Sequence, residues 1–380
     1  MNRFHYIIAG AGCAGLSFLV RLLQTGQFSH KKILLIDKTP KTVNDRTWCF
    51  WEKEPGIFDP IVHKSWKRLR FYHLTYNASY DISPYTYKMI RAIDFYQYCL
   101  QIISEYPNVT IEYATIDHIE NNRDGVILHT AQQSYSADHL FSSILLENPV
   151  LKNNQYYLLQ HFKGWVIETK DPVFNAAEAT LMDFRIDQQH GTAFVYVMPF
   201  SAHRALIEYT LFNDQVWSQE EYNEGLRKYI STILGTDDYA ILEEESGIIP
   251  MTNYRFPTHQ RCITFLGTAG GQTKASSGYT FQFIQKQTAQ LVDAMVHNFK
   301  PIVETPFLSK RFHWYDATLL NILHNNKLPG DFIFKELFKN NKITDVLQFL
   351  DNETSLLREI KIITVLPKRV FIRAALQQLT

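Results

Sequence analysis

The 380-residue chain carries no net charge, with 38 Lys and Arg against 38 Asp and Glu, so no overall field draws it to nucleic acid or repels an uncharged substrate. A neutral or apolar ligand suits it best. Its four cysteines, Cys13, Cys49, Cys99 and Cys262, lack the paired spacing of a zinc site or a redox dithiol, and read as reduced packing residues in a cytoplasmic protein. No metal site is expected. Apolar runs stay well short of the roughly 18 residues that mark a membrane-spanning helix, and the first apolar stretch runs straight into a glycine motif, which reads as a strand rather than a secretory leader. Internal repeats are missing too, which excludes a solenoid or propeller array. What the chain has in quantity is hydrophobic content, 46%, enough at this length to bury a large core in two or three packed domains.

The most specific local signal is Tyr6-Ile-Ile-Ala-Gly-Ala-Gly-Cys-Ala-Gly15, an apolar strand followed by Gly10, Gly12 and Gly15, then the apolar helix Leu16–Leu23 and a second strand, Ile33 to Ile36, ending at Asp37. Gly10 permits the tight turn, Gly12 lets the backbone approach a pyrophosphate, and Gly15 lets the helix pack on the strand. The helix N-terminus holds phosphates, and Asp37 accepts from ribose hydroxyls. A second strand, Cys262–Gly267, runs into Gly267-Thr-Ala-Gly-Gly271, and Ser277-Gly-Tyr-Thr280 opens a helix through Val296. Nicotinamide and flavin dinucleotides share the first fingerprint, and the second glycine-rich turn favours FAD. Phe265-Leu-Gly267 resembles the strand that, in glutathione-reductase-like flavoproteins, ends in Gly-Asp beside the flavin. Thr268 stands where that group has Asp, and its hydroxyl can still hydrogen-bond.

Between the two turns, Arg46-Thr-Trp-Cys-Phe-Trp-Glu52 reads as a loop, facing a pocket or capping the core. Arg68–Tyr80 reads as strand and Ile93–Ser104 as helix. Val109–Ile119 and Val126–His129 read as strands joined by the turn Asn121–Gly125, and Ala137–Ile144 as a strand returning to the nucleotide sheet. Phe162–Glu168, Thr180–Arg185, Thr192–Met198 and Arg204–Thr210 then suggest one antiparallel sheet. Ser218–Ile233 reads as helix, and Phe307–Leu379 as mostly helical. The expected fold is α/β: an FAD-binding Rossmann domain of the glutathione-reductase-like type (residues 1–75, 95–155 and 240–297), an inserted antiparallel β-sheet substrate domain (76–94 and 156–239), and a C-terminal helical region (298–380).

Five ordered motifs, Asn44–Trp51, Tyr196-Val-Met-Pro-Phe-Ser201, Arg204-Ala-Leu-Ile-Glu-Tyr-Thr210, Gly247-Ile-Ile-Pro-Met251 and Gly267–Phe281, resemble the lycopene cyclase family over about residues 4–285. The resemblance implies an FAD-dependent, non-redox isomerase of carotenoid biosynthesis that converts the linear ends of lycopene into β-ionone rings, giving β-carotene by way of γ-carotene. Glu208 matches the first glutamate of the plant members' Phe-Leu-Glu-Glu-Thr, the essential acid there, whereas Tyr209 replaces the second. The implied catalytic residue is Glu208, kept neutral by apolar neighbours. A strand glutamate facing solvent, or paired with Arg204, is the plainer alternative. The implied cofactor is FAD in reduced form, contacted by Gly10, Gly12, Ala14, Gly15, Asp37, Lys38, Arg46, Gly267, Thr268, Gly271, Ser277, Gly278 and Tyr279. A flavin reductase of unknown identity, with NAD(P)H only as an indirect electron source, would supply the electrons. The implied substrate pocket holds Trp48, Tyr196, Pro199, Phe200 and Tyr209; Tyr196, Phe200 and Tyr279 can offer cation–π stabilisation of about 0.5–2 kcal/mol for a well-placed ring or serve as ordinary core packing.

A carotenoid substrate resides in the bilayer, so peripheral contact with the inner face of the cell membrane is expected. Arg358–Leu379 mixes Lys361, Lys368, Arg369 and Arg373 with Ile362, Ile363, Val365, Leu366, Val370, Phe371 and Ile372, a composition suited to anionic headgroups. Two helices closing the core with a solvated basic face would have the same composition. Two other functions fit the same nucleotide turns: an NAD(P)H- and oxygen-consuming flavin monooxygenase or halogenase, and a non-enzymatic flavin- or carotenoid-binding protein.

Overall fold

A computed structural model describes residues 2–145, 149–298, 301–302 and 310–379, and among these the strands form sheets of eight, seven and three. The first sheet is built on the N-terminal strand β1 (Asn2–Ala9), with β2 (Ile33–Asp37) and β8 (Val109–Tyr113) parallel on one side and β11 (Ser134–Ser142) and β18 (Ile263–Phe265) parallel on the other. An antiparallel pair, β9 (Ile116–Asn122) and β10 (Gly125–Thr130), extends β11, and β17 (His259–Gln260) pairs with β18. Every residue of β2 is buried, as a parallel strand covered on both faces requires. Helices α1 (Cys13–Gln24), α2 (Ala92–Ser104) and α4 (Phe281–Asn298) share one apolar core with it.

The second sheet runs β16 (Tyr239–Thr252), β12 (Tyr157–Thr169), β15 (Arg204–Asn213), β14 (Thr192–Pro199), β13 (Glu178–Asp183), β5 (Arg68–His73) and β6 (Tyr76–Asp81). Its neighbours are antiparallel except β13 and β5, which are parallel. The helix α3 (Gln219–Tyr229) covers one face, held at its start by a reciprocal Ser218–Glu221 capping box. The opposite face packs against the C-terminal helices α5 (Lys310–His324), α6 (Gly330–Asn340) and α7 (Ile343–Leu350), with Phe338 stacked on Phe71 at 4.7 Å. Two amphipathic helices, α8 (Leu356–Ile363) and α9 (Lys368–Leu376), end the described chain. The third sheet, β3 (Thr47–Glu52), β7 (Thr86–Arg91) and β4 (Lys64–Trp66), is formed by chain between β2 and β8, with β5 and β6 of the second sheet falling between its β4 and β7.

The α/β class, the Rossmann-type unit and the inserted sheet agree with the sequence reading, and several details differ. Residues 47–52 are a strand and not a loop: they pair antiparallel with Arg91–Thr86, an arrangement that irregular polarity along the segment conceals. Arg68–Tyr80 is a hairpin of two strands, and Val109–Ile119 contains two. Strands β5 and β16, expected within the nucleotide domain, hydrogen-bond into the seven-stranded sheet, and β7, expected within the substrate domain, belongs to the three-stranded one. In the C-terminal region, residues 303–309 lie outside the described residues, so the start of the helical reading at Phe307 does too.

Candidate active site

The glycine turn has the geometry its residues dictate. Gly10 takes φ +98°, a conformation that side chains rarely adopt. A Cβ on Gly15 would collide with the carbonyl oxygen of Gly10, so only glycine lets α1 press this closely on β1, whereas Gly12 faces open space. Ala14 lies beside Gly267, joining the two glycine turns: a Cβ on Gly267 would come within 2.7 Å of the Ala14 methyl. Asp37 ends β2 with Oδ2 accepting from the Ala11 N–H at 2.7 Å and Oδ1 from the Thr39 N–H and the Lys41 ammonium, at 3.2 and 3.0 Å. A carboxylate has about four acceptor sites, so Oδ2 retains capacity for one more donor. Lys38 is exposed just beyond it. These residues fit a dinucleotide: an unobstructed backbone, a helix N-terminus and a carboxylate lie together.

A cavity of about 310 Å³ opens between the seven-stranded sheet, the three-stranded sheet and the second glycine-rich turn. It brings together Glu208 from β15, Tyr196 from β14, Arg46 just before β3 and Trp48 within it, and Thr268, Ser277, Gly278 and Tyr279 from the second glycine-rich turn. Arg46 is bonded to Asp45, which also accepts from the Tyr96 hydroxyl at 3.0 Å. Trp48 meets Phe95 edge-on at 5.2 Å. The Thr268 hydroxyl bonds that of Thr273 at 3.0 Å. Several buried polar atoms at or beside this cavity have no partner within hydrogen-bonding geometry among the described residues: Gln160 Oε1, Tyr87 Oη, Ser277 Oγ, Tyr279 Oη and Glu245 Oε1 are examples. Unpaired buried polar groups are costly, and their gathering here marks a place prepared for a ligand with polar edges.

Glu208 is enclosed by protein and open to the cavity. The Thr210 hydroxyl donates to its Oε1 at 3.0 Å, which leaves Oε2 as the atom to carry a proton. Burial pushes its carboxyl well above the usual range, and the nearby charge of Glu245 pushes it further. The pairing with Arg204 does not form, because Arg204 bonds Glu168 instead, at 2.7 Å.

Three residues placed in the pocket by sequence lie elsewhere. Tyr209 follows Glu208 in a strand and therefore projects to the other face, where it stacks on Trp217 at 5.5 Å and packs under Gly225 of α3. Pro199 and Phe200 stand at the strand end, outside the cavity lining: the Pro199 carbonyl accepts from Trp66 Nε1 at 3.3 Å, and Phe200 meets His63 edge-on at 5.2 Å. Gly271 belongs to an adjoining cavity of about 360 Å³ that shares Thr268 and Pro250 with the first. That second cavity contains the buried ion pair of Lys274 with Asp316, at 2.7 Å.

Sequence reasoning missed Glu245, Gln160 and Phe162. Glu245 ends the run Glu243-Glu244-Glu245, which by composition is a solvated acidic face, yet its side chain is buried with Oε2 accepting from the Thr47 hydroxyl at 2.7 Å. Strand alternation was the available signal: Glu244 projects to the α3 face and pairs with Lys163 at 2.9 Å, so Glu245 must project to the cavity face.

The whole-chain architecture is that of Rossmann flavoproteins. It is similar to a geranylgeranyl bacteriochlorophyll reductase-like protein from Thermoplasma acidophilum, with a TM-score of 0.70 at 11% identity, covering 99% of this chain and all of that one. The p-nitrophenol 4-monooxygenase PnpA from Pseudomonas putida is similar with a TM-score of 0.61 at 12% identity, covering 100% and 99%. At such identities these likenesses describe the fold alone. The family model described as lycopene cyclase protein matches residues 6–376, and the chain belongs to the lycopene cyclase family. A lycopene beta-cyclase of Pantoea ananas is 25% identical over 287 residues, 73% of this chain and 71% of that protein.

Proposed function

We propose that the protein is a lycopene β-cyclase, an isomerase that closes the linear ends of lycopene into β-ionone rings with no net transfer of electrons, giving β-carotene by way of γ-carotene. The observation that carries this reading is the enclosed Glu208 carboxyl in one cavity with Thr268, Ser277 and Gly278 of the second glycine-rich turn. Cyclisation needs a proton for the terminal double bond, a surface that tolerates a cation, and a base for the ring proton. Glu208, held neutral by burial, gives its proton to the inner carbon of the terminal double bond, the neighbouring double bond closes the ring onto the dimethyl carbon left positive, and the resulting carboxylate takes a ring proton back, so the cycle closes without a co-reactant. Tyr196, Tyr279 and Phe162 line the same space, and a well-placed ring contributes about 0.5–2 kcal/mol toward a cation. Trp48, Met198 and Leu206 keep it apolar.

FAD is the proposed cofactor, its adenosine and pyrophosphate at Gly10, Gly12, Ala14, Gly15 and Asp37 and its flavin near Arg46, Gly267, Thr268, Ser277, Gly278 and Tyr279. When bound in reduced form it supplies electron density beside the developing positive charge. An external flavin reductase, with NAD(P)H as its indirect source, keeps it reduced. The cavity of about 310 Å³ takes one end of a long polyene.

The substrate's home in a bilayer calls for peripheral membrane contact from the cytoplasmic side. No helix among the described residues is long and apolar enough to cross a membrane. Leu356, Leu357 and Ile360 on α8 and Ile372 and Leu376 on α9 are exposed, with Leu357 at 82%, among Arg358, Lys361, Arg369 and Arg373. Such a mixture suits anionic lipid.

Anaerobic incubation of the purified protein with dithionite-reduced FAD and lycopene in anionic liposomes, followed by pigment analysis, tests the reading. Bicyclic product without oxygen is expected. Product that appears only with oxygen and one NAD(P)H consumed per turnover would point instead to a flavin monooxygenase or halogenase, and pigment or flavin retained without conversion would point to a binding protein.

A further inference from the structure

In the seven-stranded sheet, β12 lies between β15 and β16, and its Gly164 is paired with Glu208 on one side and Glu245 on the other. Residues in register across neighbouring strands project to the same face, so both glutamates rise over the cavity face with only a glycine between them. A Cβ at position 164 would lie 3.5 Å from Glu208 Cβ, 3.2 Å from Glu245 Cγ and 2.9 Å from Leu206 Cδ1. The missing side chain is the space into which the two carboxyl stems lean. Glu245 keeps Oε2 on the Thr47 hydroxyl, and its buried Oε1 has no geometric partner among the described residues.

We propose that Glu208 and Glu245 act as a pair sharing one proton, in which Glu245 is the positioning residue that keeps the proton on Glu208 until substrate takes it. The inference rests on the cyclase reading above and assigns a second residue to its acid. Two carboxylates brought together in a low-dielectric site resist ionising together, and one of them holds its proton strongly. With Glu245 charged, Glu208 stays protonated at neutral pH; once its O–H bond breaks and a C–H bond forms on the substrate, two anions face each other. That repulsion makes Glu208 the stronger base for the ring proton, whose return restores the starting pair with atoms and charge balanced. Burial raises both carboxyls, Glu208 the further, with the Glu245 charge its second cause; the Thr47 hydroxyl, interaction with the Glu208 carboxyl and Arg46 act to lower Glu245, and the Glu243 charge acts to raise it. The other titratable groups facing the pair are Cys49 on β3, Tyr87 on β7, Tyr196 on β14, and Tyr279, all pushed up by burial and hence neutral, together with Glu243 on β16.

The test is the pH profile of kcat/KM for the FAD-loaded holoenzyme of the parent, Glu245→Gln, Glu245→Asp and Gly164→Ala, with Glu208→Gln as control. Removing the charge of Glu245 lets Glu208 ionise sooner, so the alkaline limb of Glu245→Gln moves to lower pH: the rate at the alkaline end falls about tenfold while the acid end stays within about twofold. Gly164→Ala, which wedges a methyl between the carboxyls, moves the limb the same way, and Glu245→Asp, which keeps the charge, restores most of the parental profile. A limb that stays in place in Glu245→Gln, with the rate lowered equally at every pH or unchanged, overturns the pair. Turnover that survives in Glu208→Gln, or is missing in the parent, overturns the cyclase reading instead. In that event, or if Glu245→Gln fails to fold, infrared titration of the carboxylic-acid carbonyl band in the parent and in Gly164→Ala still decides: an unchanged midpoint refutes the shared proton.

Discussion

On the α3 side of the seven-stranded sheet, the Tyr229 hydroxyl donates to Asp183 at 2.7 Å, Asp183 is also bridged by Arg185, and His161 is held between Tyr222 and Asn213. On the opposite side, Gln160, Tyr279, Ser277 and Glu245 each carry a buried polar atom with no partner within hydrogen-bonding geometry among the described residues. The two faces are made from alternate residues of the same strands, β12, β14 and β15, and both are largely apolar. Among the described residues they differ in how completely the chain satisfies its own polar groups, with Trp165 Nε1 and Asn223 Oδ1 the exceptions on the α3 side. One face has been closed for stability. The other keeps its desolvation cost, a pattern that belongs to sites whose polar groups await a ligand.

Substitutions that treat the faces alike would break this contrast, and ones that separate them would sharpen it. The largest expected effect is on the cavity side: Glu208→Gln lowers ring formation by about a thousandfold, roughly 4 kcal/mol in the barrier, with flavin content, read from its absorbance, unchanged. On the α3 side, Tyr229→Phe removes a donor from a buried carboxylate and costs about 1–3 kcal/mol of stability in denaturant titration, with activity per folded molecule within about twofold of the parent.

The pH dependence of stability separates the faces again. Because the folded-state pKa of Glu208 is raised, the native chain holds that proton more tightly than the unfolded chain, and its contribution to stability is lost as pH rises from the unfolded glutamate range. Glu208→Gln removes this loss, so thermal melts should show the variant level with the parent near about pH 4 and a few degrees more stable at neutral pH. The smallest effect belongs to Tyr209→Phe: it faces Trp217 rather than the cavity, so activity should stay within about twofold.

How much of this was legible in the sequence follows from how local each feature is. The first glycine turn was, because Gly10, Gly12, Gly15 and Asp37 act within one strand, turn and helix. Glu208 was legible from its motif, yet placing both Glu208 and Tyr209 in the pocket ignored the two-residue period of a strand. The role of Gly164 as a gap, and with it the approach of Glu245, depends on the register of three strands drawn from residues about 40 and 80 positions apart along the chain. No local pattern encodes that register. The strand at residues 47–52 was hidden for a related reason: its pairing partner is β7, and its exposure is set by the cavity it lines. The parallel contact of β5 with β13 likewise depends on chain returning from over 100 residues away.

The account stands on one carboxyl being uncharged when neighbouring surface glutamates are not. Infrared difference spectroscopy at neutral pH, comparing the parent with Glu208→Gln, reads this without any substrate. A carboxylic-acid carbonyl band present in the parent and absent from the variant is the expected result; a parent spectrum in which Glu208 contributes only a carboxylate band would contradict the account.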